Sequence, residues 1–460
     1  MARALHALEP VDFLDGNEAE VALNKSRIVQ LFASLSLYTR KQRMMLITAD
    51  YLSSSSRFCF FRKCHFNLGV NLRRRRVIGG VRRSCKATLI TNSDSFEVGR
   101  LIGSYGFLNI TSYSGLKSGM EMEFLPEDFG RLRAQDVGEG SVKIRLYEGR
   151  IAQGPLRGTP VIFKVYPGQQ VGGLEADLMA SNELSAHASL QVSDSKSIAS
   201  RNIQILLGGF ETKTGEQWLA FRYDGKYTAA DYAKVASEKM LKYRDLGGQK
   251  FWNPFEKDET IKRRRYYVTK LLQGAIGGLA YMHGNDILHQ SLGPSSVILN
   301  TIVEKDATYL VPRLRDLAFS VDIRYSELDG SSKALSEGLW RRASAAGAYT
   351  PMEKRAFGVA DDIYEAGLLF AYVSFVPFCE PGVMDSLSLR RLLENTFQLD
   401  VQAMREYSLA DDRLLEAVKF LDIANGAGWE LLQAMLNRDF RQRPIAEAVL
   451  NHRFMAGAFL

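Results

Sequence analysis

The sequence predicts an α+β fold in two lobes, the first rich in strands and the second in helices, and three observations carry that expectation. Short apolar runs dominate residues 134–222: Val142–Leu146, Pro160–Val165, Ile203–Leu207 and Gln217–Phe221. From about residue 226 the apolar spacing lengthens to a helical period, in Tyr266–His283, Asp362–Ser374 and Leu414–Met435. Strands come first and helices after, so the two kinds of element segregate along the chain.

The 460 residues, 46% of them apolar, suffice for one large domain or two ordinary ones. The net charge of +7 is unevenly spread. Residues 1–86 carry 16 Lys or Arg against 6 Asp or Glu, a balance of +10, which leaves −3 for residues 87–460. The folded part is therefore mildly acidic, and a nucleic-acid partner is not expected. Cys59, Cys64 and Cys85 all lie in the basic leader, so Cys379 alone cannot build a disulfide framework or a thiolate zinc site beyond it. The longest apolar stretch, Ala366–Phe378, is interrupted by Gly367 and Pro377 and is too short for about 30 Å of hydrocarbon. It reads as a buried core helix, with no transmembrane span expected.

Residues 40–86 hold 13 basic residues and one acid, Asp50, interleaved with Ser53–Ser56 and the run Arg73–Arg76. That composition suits an organelle transit peptide, and Val81–Ala87 resembles a chloroplast processing site. A nuclear or nucleic-acid basic patch and a disordered basic arm are the other readings. The acids Glu9, Asp12, Asp15, Glu18 and Glu20 fit a transit peptide poorly, so translation from Met44 or Met45 is one expectation, tested by N-terminal sequencing of the precursor. The expected organisation is a leader over 1–86, an irregular Gly-, Ser- and Tyr-rich extension over 87–129, and a two-lobed domain over 130–460, with lobes at 130–222 and 226–457.

In chain order, the candidate site begins at Val137-Gly138-Glu139-Gly140-Ser141-Val142, and Lys164 follows Gly140 by 24 residues inside the apolar run Val161–Tyr166. Gly138 and Gly140 would let backbone approach a phosphate closely, although the pair alone also suits a plain hairpin turn. A third glycine of such a loop is replaced by Lys143. Gly99–Phe107 imitates the same loop, but its next lysine, Lys117, lies in no apolar strand, and that segment is set aside. A helix over Leu174–Leu190 carries Glu183, 19 residues beyond Lys164, with Glu175 as its rival and a solvated carboxylate as the plain alternative. Lys262–Arg265 reads as an exposed face of a helix start, and Arg341-Arg342-Ala343-Ser344 as a solvated loop or a basic-directed phosphosite.

Further on come His289-Gln290-Ser291-Leu292-Gly293-Pro294-Ser295-Ser296 running into Val297–Leu299, then Leu314-Arg315-Asp316-Leu317-Ala318, Thr350-Pro351-Met352-Glu353, Asp362–Gly367 and Arg443-Pro444. Together with the Gly138–Lys164–Glu183 series, these segments in this order resemble the protein-kinase superfamily over about residues 130–457. The resemblance implies a two-lobed kinase-like fold and a cleft for ATP and Mg²⁺. Gly138, Gly140, Lys164 and Glu183 would serve the phosphates. Phe221 would be the gatekeeper, backbone around Tyr223 would meet adenine, and Asp316 would hold the metal. It also implies that Asp362 braces the loop at 289–300 and that Glu353 pairs with Arg443.

The departures bear on function. Ser291 stands where the resemblance places the catalytic aspartate, Gly293 where it places the phosphate-contacting lysine, and Ser296 where it places a metal-binding asparagine. Loss of a positioned general base typically costs about 10²- to 10⁴-fold in rate. Gln290 removes an arginine that would receive an activation-loop phosphate, and Ala318 in place of glycine restricts a flip of the metal-binding segment. The expectation is a pseudokinase of the plastid, soluble or peripheral, that binds nucleotide and regulates or scaffolds an unknown protein partner. An active serine/threonine kinase with rearranged groups and an interaction protein with an empty pocket are the alternatives.

Overall fold

The computed structural model describes residues 89–111, 131–136, 142–193, 199–245, 254–324 and 335–457. The expected transit peptide and the glycine pair Gly138 and Gly140 lie outside the described residues. Strands β1 (Phe96–Thr111), β2 (Arg131–Asp136), β3 (Ile144–Ile151), β4 (Pro160–Tyr166), β5 (Leu206–Glu211) and β6 (Gln217–Arg222) form one antiparallel sheet in the order β2-β1-β3-β4-β6-β5. Helix α1, Gln169–Ser193, follows β4 and bends at Gly173, whose φ of 63° falls in the left-handed region.

Alternation in β4 sends Val161, Phe163 and Val165 to one face, where they meet Phe96, Ile151 and Ala220 in a small core ringed by Tyr147, Phe210 and Trp218. Gly149 is required by this packing. A Cβ there would sit 2.4 Å from the Glu97 carbonyl oxygen and 2.5 Å from the Phe163 ring.

β1 corrects the expected organisation, because Phe96–Thr111 falls inside the stretch read as an irregular extension. Glycine enrichment suggested turns, yet Gly99, Gly103 and Gly106 still offer backbone N–H and C=O groups to a ladder, and neighbouring Val98, Tyr105 and Phe107 favour extended backbone. The sheet therefore starts well before residue 130.

The second lobe opens at the linker Gly225, where φ is 150° and a Cβ would lie 2.1 Å from the Leu299 carbonyl oxygen. Strand β7 (Tyr227–Thr228), helices α2 (Ala229–Asp245) and α3 (Pro254–Gly284), and the short strands β8 (Ile287–Leu288), β9 (Val297–Leu299), β10 (Arg313–Leu314) and β11 (Val321–Asp322) come next. Helices α4 (Glu337–Ala345) and α5 (Pro351–Phe375) complete the part that supports the site. Leu271, Leu279, Ile363, Phe370 and Leu432 share the large apolar core of this lobe. Thr350 and Glu353 start α5 as a reciprocal capping box, with Pro351 at its first turn. No helix among the described residues is long and apolar enough to cross a membrane.

Four further expectations change. The run Leu414–Met435 is not one helix, since Ala424, Asn425 and Gly426 all adopt positive φ and break it. Arg264, read as part of an exposed face, is fully buried because Glu304 and the Pro377 carbonyl accept from its guanidinium. Glu353 accepts from the Tyr349 and Thr350 amides at 3.0 and 2.9 Å, whereas Arg443 donates to the Asn437 and Ala360 carbonyls. The buried ion pair of that corner is Arg342 with Asp361, bidentate at 2.6 and 2.9 Å, which removes Arg342 from any solvent-facing phosphosite.

A second buried cluster makes a pH prediction. Burial pushes the Glu365 carboxyl up to about 7, although Arg390 opposes this from 3.1 Å. The folded protein thus binds a proton at Glu365 that the unfolded chain, near 4.5, has already lost. Stability associated with this group is complete below the unfolded value and declines as pH rises through about 7, by up to about 3 kcal/mol. Glu365→Gln is expected to raise the melting temperature at pH 8 and leave it nearly unchanged at pH 4.5, as read by thermal melts across that range.

Candidate functional site between the lobes

The site is assembled from strand, helix and loop. Lys164 projects from the middle of β4, and α1 brings Glu183 to its ammonium at 2.6 Å, so the 19-residue spacing resolves in favour of Glu183. Tyr166 donates its phenol to the second oxygen of Glu183, and His187, one turn along α1, lies 3.8 Å from that carboxylate. Asp316, just after β10, meets the same lysine at 2.5 Å. Its left-handed backbone (φ 68°) starts the short 3-10 turn Leu317–Phe319. Asn182 of α1 donates to the carbonyls of Ala318 and Ser320 at 2.9 and 2.7 Å, tying helix and turn together.

Two further residues complete the cluster. Tyr105 of β1 donates its phenol to Asp316 Oδ1 at 2.7 Å, and Arg315 places its Nε 3.2 Å from Asp316 Oδ2. The set holds two cations, Lys164 and Arg315, against two carboxylates, Glu183 and Asp316, so it is formally neutral. Lys164 is 2% exposed and both carboxylates are fully buried.

The protonation states follow. Burial works to raise both carboxyls, but Lys164 outweighs it, helped by His187 at Glu183 and by Arg315 at Asp316, and holds both below the usual carboxylate range. Burial works to lower Lys164, and the Asp316 and Glu183 carboxylates reverse it. Burial, reinforced by Asp316, pushes the Tyr105 phenol far up, so it acts as a donor.

The loop at 289–300 is held by α5. Asp362 accepts from the His289 amide at 2.7 Å and from the Gln290 amide and side chain at 2.9 and 3.0 Å, with His283 at 3.0 Å. Those bonds stabilise Gln290 at a φ of 58°, a conformation that costs roughly 1–3 kcal/mol for a residue with a Cβ. Ser291 donates its hydroxyl to the Asp316 carbonyl at 2.6 Å. Ser296 closes the local turn, accepting from the Gly293 amide and donating to the Gly293 carbonyl at 2.9 and 2.8 Å. A side chain at Gly293 would meet open space. Ser291 and Ser296 are thus spent on holding backbone.

At the other end of the cleft, Phe221 is buried with its ring 5.4 Å from the Lys164 ammonium and 5.0 Å from the His187 ring. Tyr223 is 39% exposed and donates its amide to the Pro160 carbonyl at 3.1 Å. The structure therefore brings Lys164, Glu183, Phe221, Ser291 and Asp316 into one buried cluster.

Asp316 Oδ1 accepts from Lys164 and Tyr105, and Oδ2, buried without a hydrogen-bond partner among the described residues, lies 3.2 Å from Arg315 Nε. Oδ2 is thus the atom of this carboxylate that could join a magnesium ion's oxygen shell, with the neighbouring guanidinium opposing the cation.

No family model matches the chain. The chain is 22% identical over 264 residues to the chloroplast serine/threonine-protein kinase STN7 of Arabidopsis thaliana, a match covering 53% of this chain and 44% of that protein. It is 22% identical over 271 residues to the chloroplast serine/threonine-protein kinase STN8 of the same plant, covering 52% and 49%. The chain thus spans less than half the length of these curated relatives. A crystal structure of a Stt7 homolog from Micromonas algae soaked with ATP matches 85% of this chain and 99% of its own, at 18% identity and a TM-score of 0.48. The two sequence matches, with the order of motifs along the chain, support a protein-kinase-like chain that resembles chloroplast kinases.

Proposed function

We propose that this kinase-like chain is a plastid pseudokinase, which binds a nucleotide in the interlobe cleft, transfers no phosphoryl group and regulates or scaffolds a protein partner. One observation carries the reading. At the place of a general base there is a hydroxyl, Ser291, which donates to the Asp316 carbonyl. A serine hydroxyl is no proton acceptor at neutral pH unless a base activates it, and His289 Nδ1, 3.4 Å away, has its basicity lowered by burial. The carboxylates beside the loop, Asp316 and Asp362, are both fully buried and engaged. Neither is accessible to an incoming alcohol.

Nucleotide binding is supported by the Lys164–Glu183 pair, which holds the lysine in the cleft, and by the apolar wall at Phe221. Plastid residence is supported by the Arg- and Ser-rich leader and by the similarity to chloroplast kinases. The test uses the full chain with radiolabelled ATP, magnesium and a general protein acceptor, beside thermal melts with adenosine, ADP and ATP. The expected result is no transfer above a boiled control, together with a nucleotide-dependent rise in melting temperature. Label transfer that Asp316→Asn abolishes would establish an active kinase instead, and melts unmoved by every nucleotide at millimolar concentration would leave an interaction protein with an empty cleft.

A further inference from the structure

We propose that Tyr105 is an internal occupant of the cleft's metal-and-phosphate end, so that the folded protein accepts a nucleoside and admits a magnesium triphosphate only when Tyr105 leaves Asp316. The proposal rests on the nucleotide reading above for its ligand class, but the plug itself is a matter of geometry.

Tyr105 is 2% exposed and its hydroxyl sits 2.7 Å from Asp316 Oδ1, the same oxygen that Lys164 contacts. Its ring lies 5.7 Å beneath the Arg315 guanidinium. Phe107, two residues along the same face of β1, packs edge-on against Phe319 at 4.9 Å. Two aromatic side chains from one strand therefore seal the turn that follows Asp316. The strand cannot slip to free them easily, because Tyr105 is in register with Ile144 and Gly103 with Leu146. A magnesium ion reaching Asp316 Oδ1 would have to displace the phenol from that oxygen, and a phosphate on Lys164 would have to draw the ammonium away from the oxygen it shares with the phenol. The adenine end, by contrast, would lie along β6 and the linker, at Phe221 and Tyr223.

The experiment compares wild type, Tyr105→Phe and Tyr105→Ala as full chains. Tyr105→Phe keeps the ring and removes only the hydroxyl, which guards against a folding defect in the alanine variant. The first readout needs no nucleotide: the rate at which a small amine-reactive reagent labels Lys164, followed by peptide mass spectrometry. Tyr105→Ala is expected to speed this labelling about tenfold or more, with Tyr105→Phe between, as expected when the competent population rises. The second readout is calorimetric titration with adenosine and with magnesium ATP. Magnesium ATP should tighten by about 10- to 100-fold in Tyr105→Ala, while adenosine stays within about twofold.

Lys164 labelling that is unchanged in both variants would overturn the plug. Faster labelling with no binding of either ligand to any of the three proteins would uphold the plug and reject the nucleotide reading. Equal tightening of adenosine and magnesium ATP would also overturn the proposal, since a plug confined to Asp316 has no route to the adenine end.

Discussion

Lys164→Ala is expected to lower the unfolding free energy of the nucleotide-free protein by about 3–5 kcal/mol, the cost of leaving a buried charge without its partner. Two carboxylates depend on this one ammonium, at 2.6 Å for Glu183 and 2.5 Å for Asp316, and both are fully buried. Arg315 would still face Asp316, but Glu183 would keep only His187 at 3.8 Å and the Tyr166 phenol. Against a total stability of roughly 5–15 kcal/mol for a domain, that is a large fraction. Urea unfolding at pH 7 measures it directly.

The same variant should also shift acid sensitivity. In the wild type, Glu183 and Asp316 are held below their usual range, so their stabilisation is present above the unfolded carboxylate values and is lost only as pH falls through the lower folded ones. Without Lys164 those folded values rise, and acid unfolding should begin at higher pH. Lys164→Ala with Glu183→Gln should regain part of the stability by removing one stranded charge. This matters for interpretation, because loss of nucleotide binding in Lys164→Ala would mix a lost ligand contact with a weakened fold. Tyr105→Phe and Asp316→Asn keep the side-chain volume at their positions and are the better probes of the cleft.

How far the site could be read from the chain depends on the kind of signal each residue leaves. Lys164 and Glu183 lie on regular elements, so the strand and the helix are locally legible, but their pairing is what the resemblance to protein kinases implies, and the structure bears it out. Asp362 and the 289–300 loop are legible through the resemblance to protein-kinase motifs, whose framework positions His289, Leu292, Pro294 and Val297–Leu299 the chain keeps. Tyr105 left no such trace. Its neighbours Gly103 and Gly106 made the segment resemble a phosphate loop, the distant lysine argued against that, and rejecting the loop hid the strand. Contact between Tyr105 and Asp316 spans 211 residues of sequence, beyond the reach of any local pattern. Arg264 failed for a related reason. A basic run is normally solvated, and the carboxylate that makes burial tolerable, Glu304, lies 40 residues away.

Arg264→Ala is the second change expected to cost about 3–5 kcal/mol, far from any ligand. The arginine is fully buried under the second lobe, with Nε on Glu304 at 2.8 Å and Nη1 on the Pro377 carbonyl at 2.5 Å. Tyr232 also donates to Glu304, at 3.3 Å, while its ring stacks on Tyr267 at 4.2 Å. Removing the guanidinium leaves Glu304 nearly buried with one weak donor, orphans a carbonyl and opens a cavity beside the tyrosine pair. A double-mutant cycle separates these contributions. If the stranded carboxylate dominates, Glu304→Gln added to Arg264→Met should recover most of the loss, because replacing both members of a buried pair is often close to neutral. If both variants remain equally unstable in urea, the lost packing of α3 against the Pro377 segment dominates instead, and the ion pair is incidental to a steric role for the arginine.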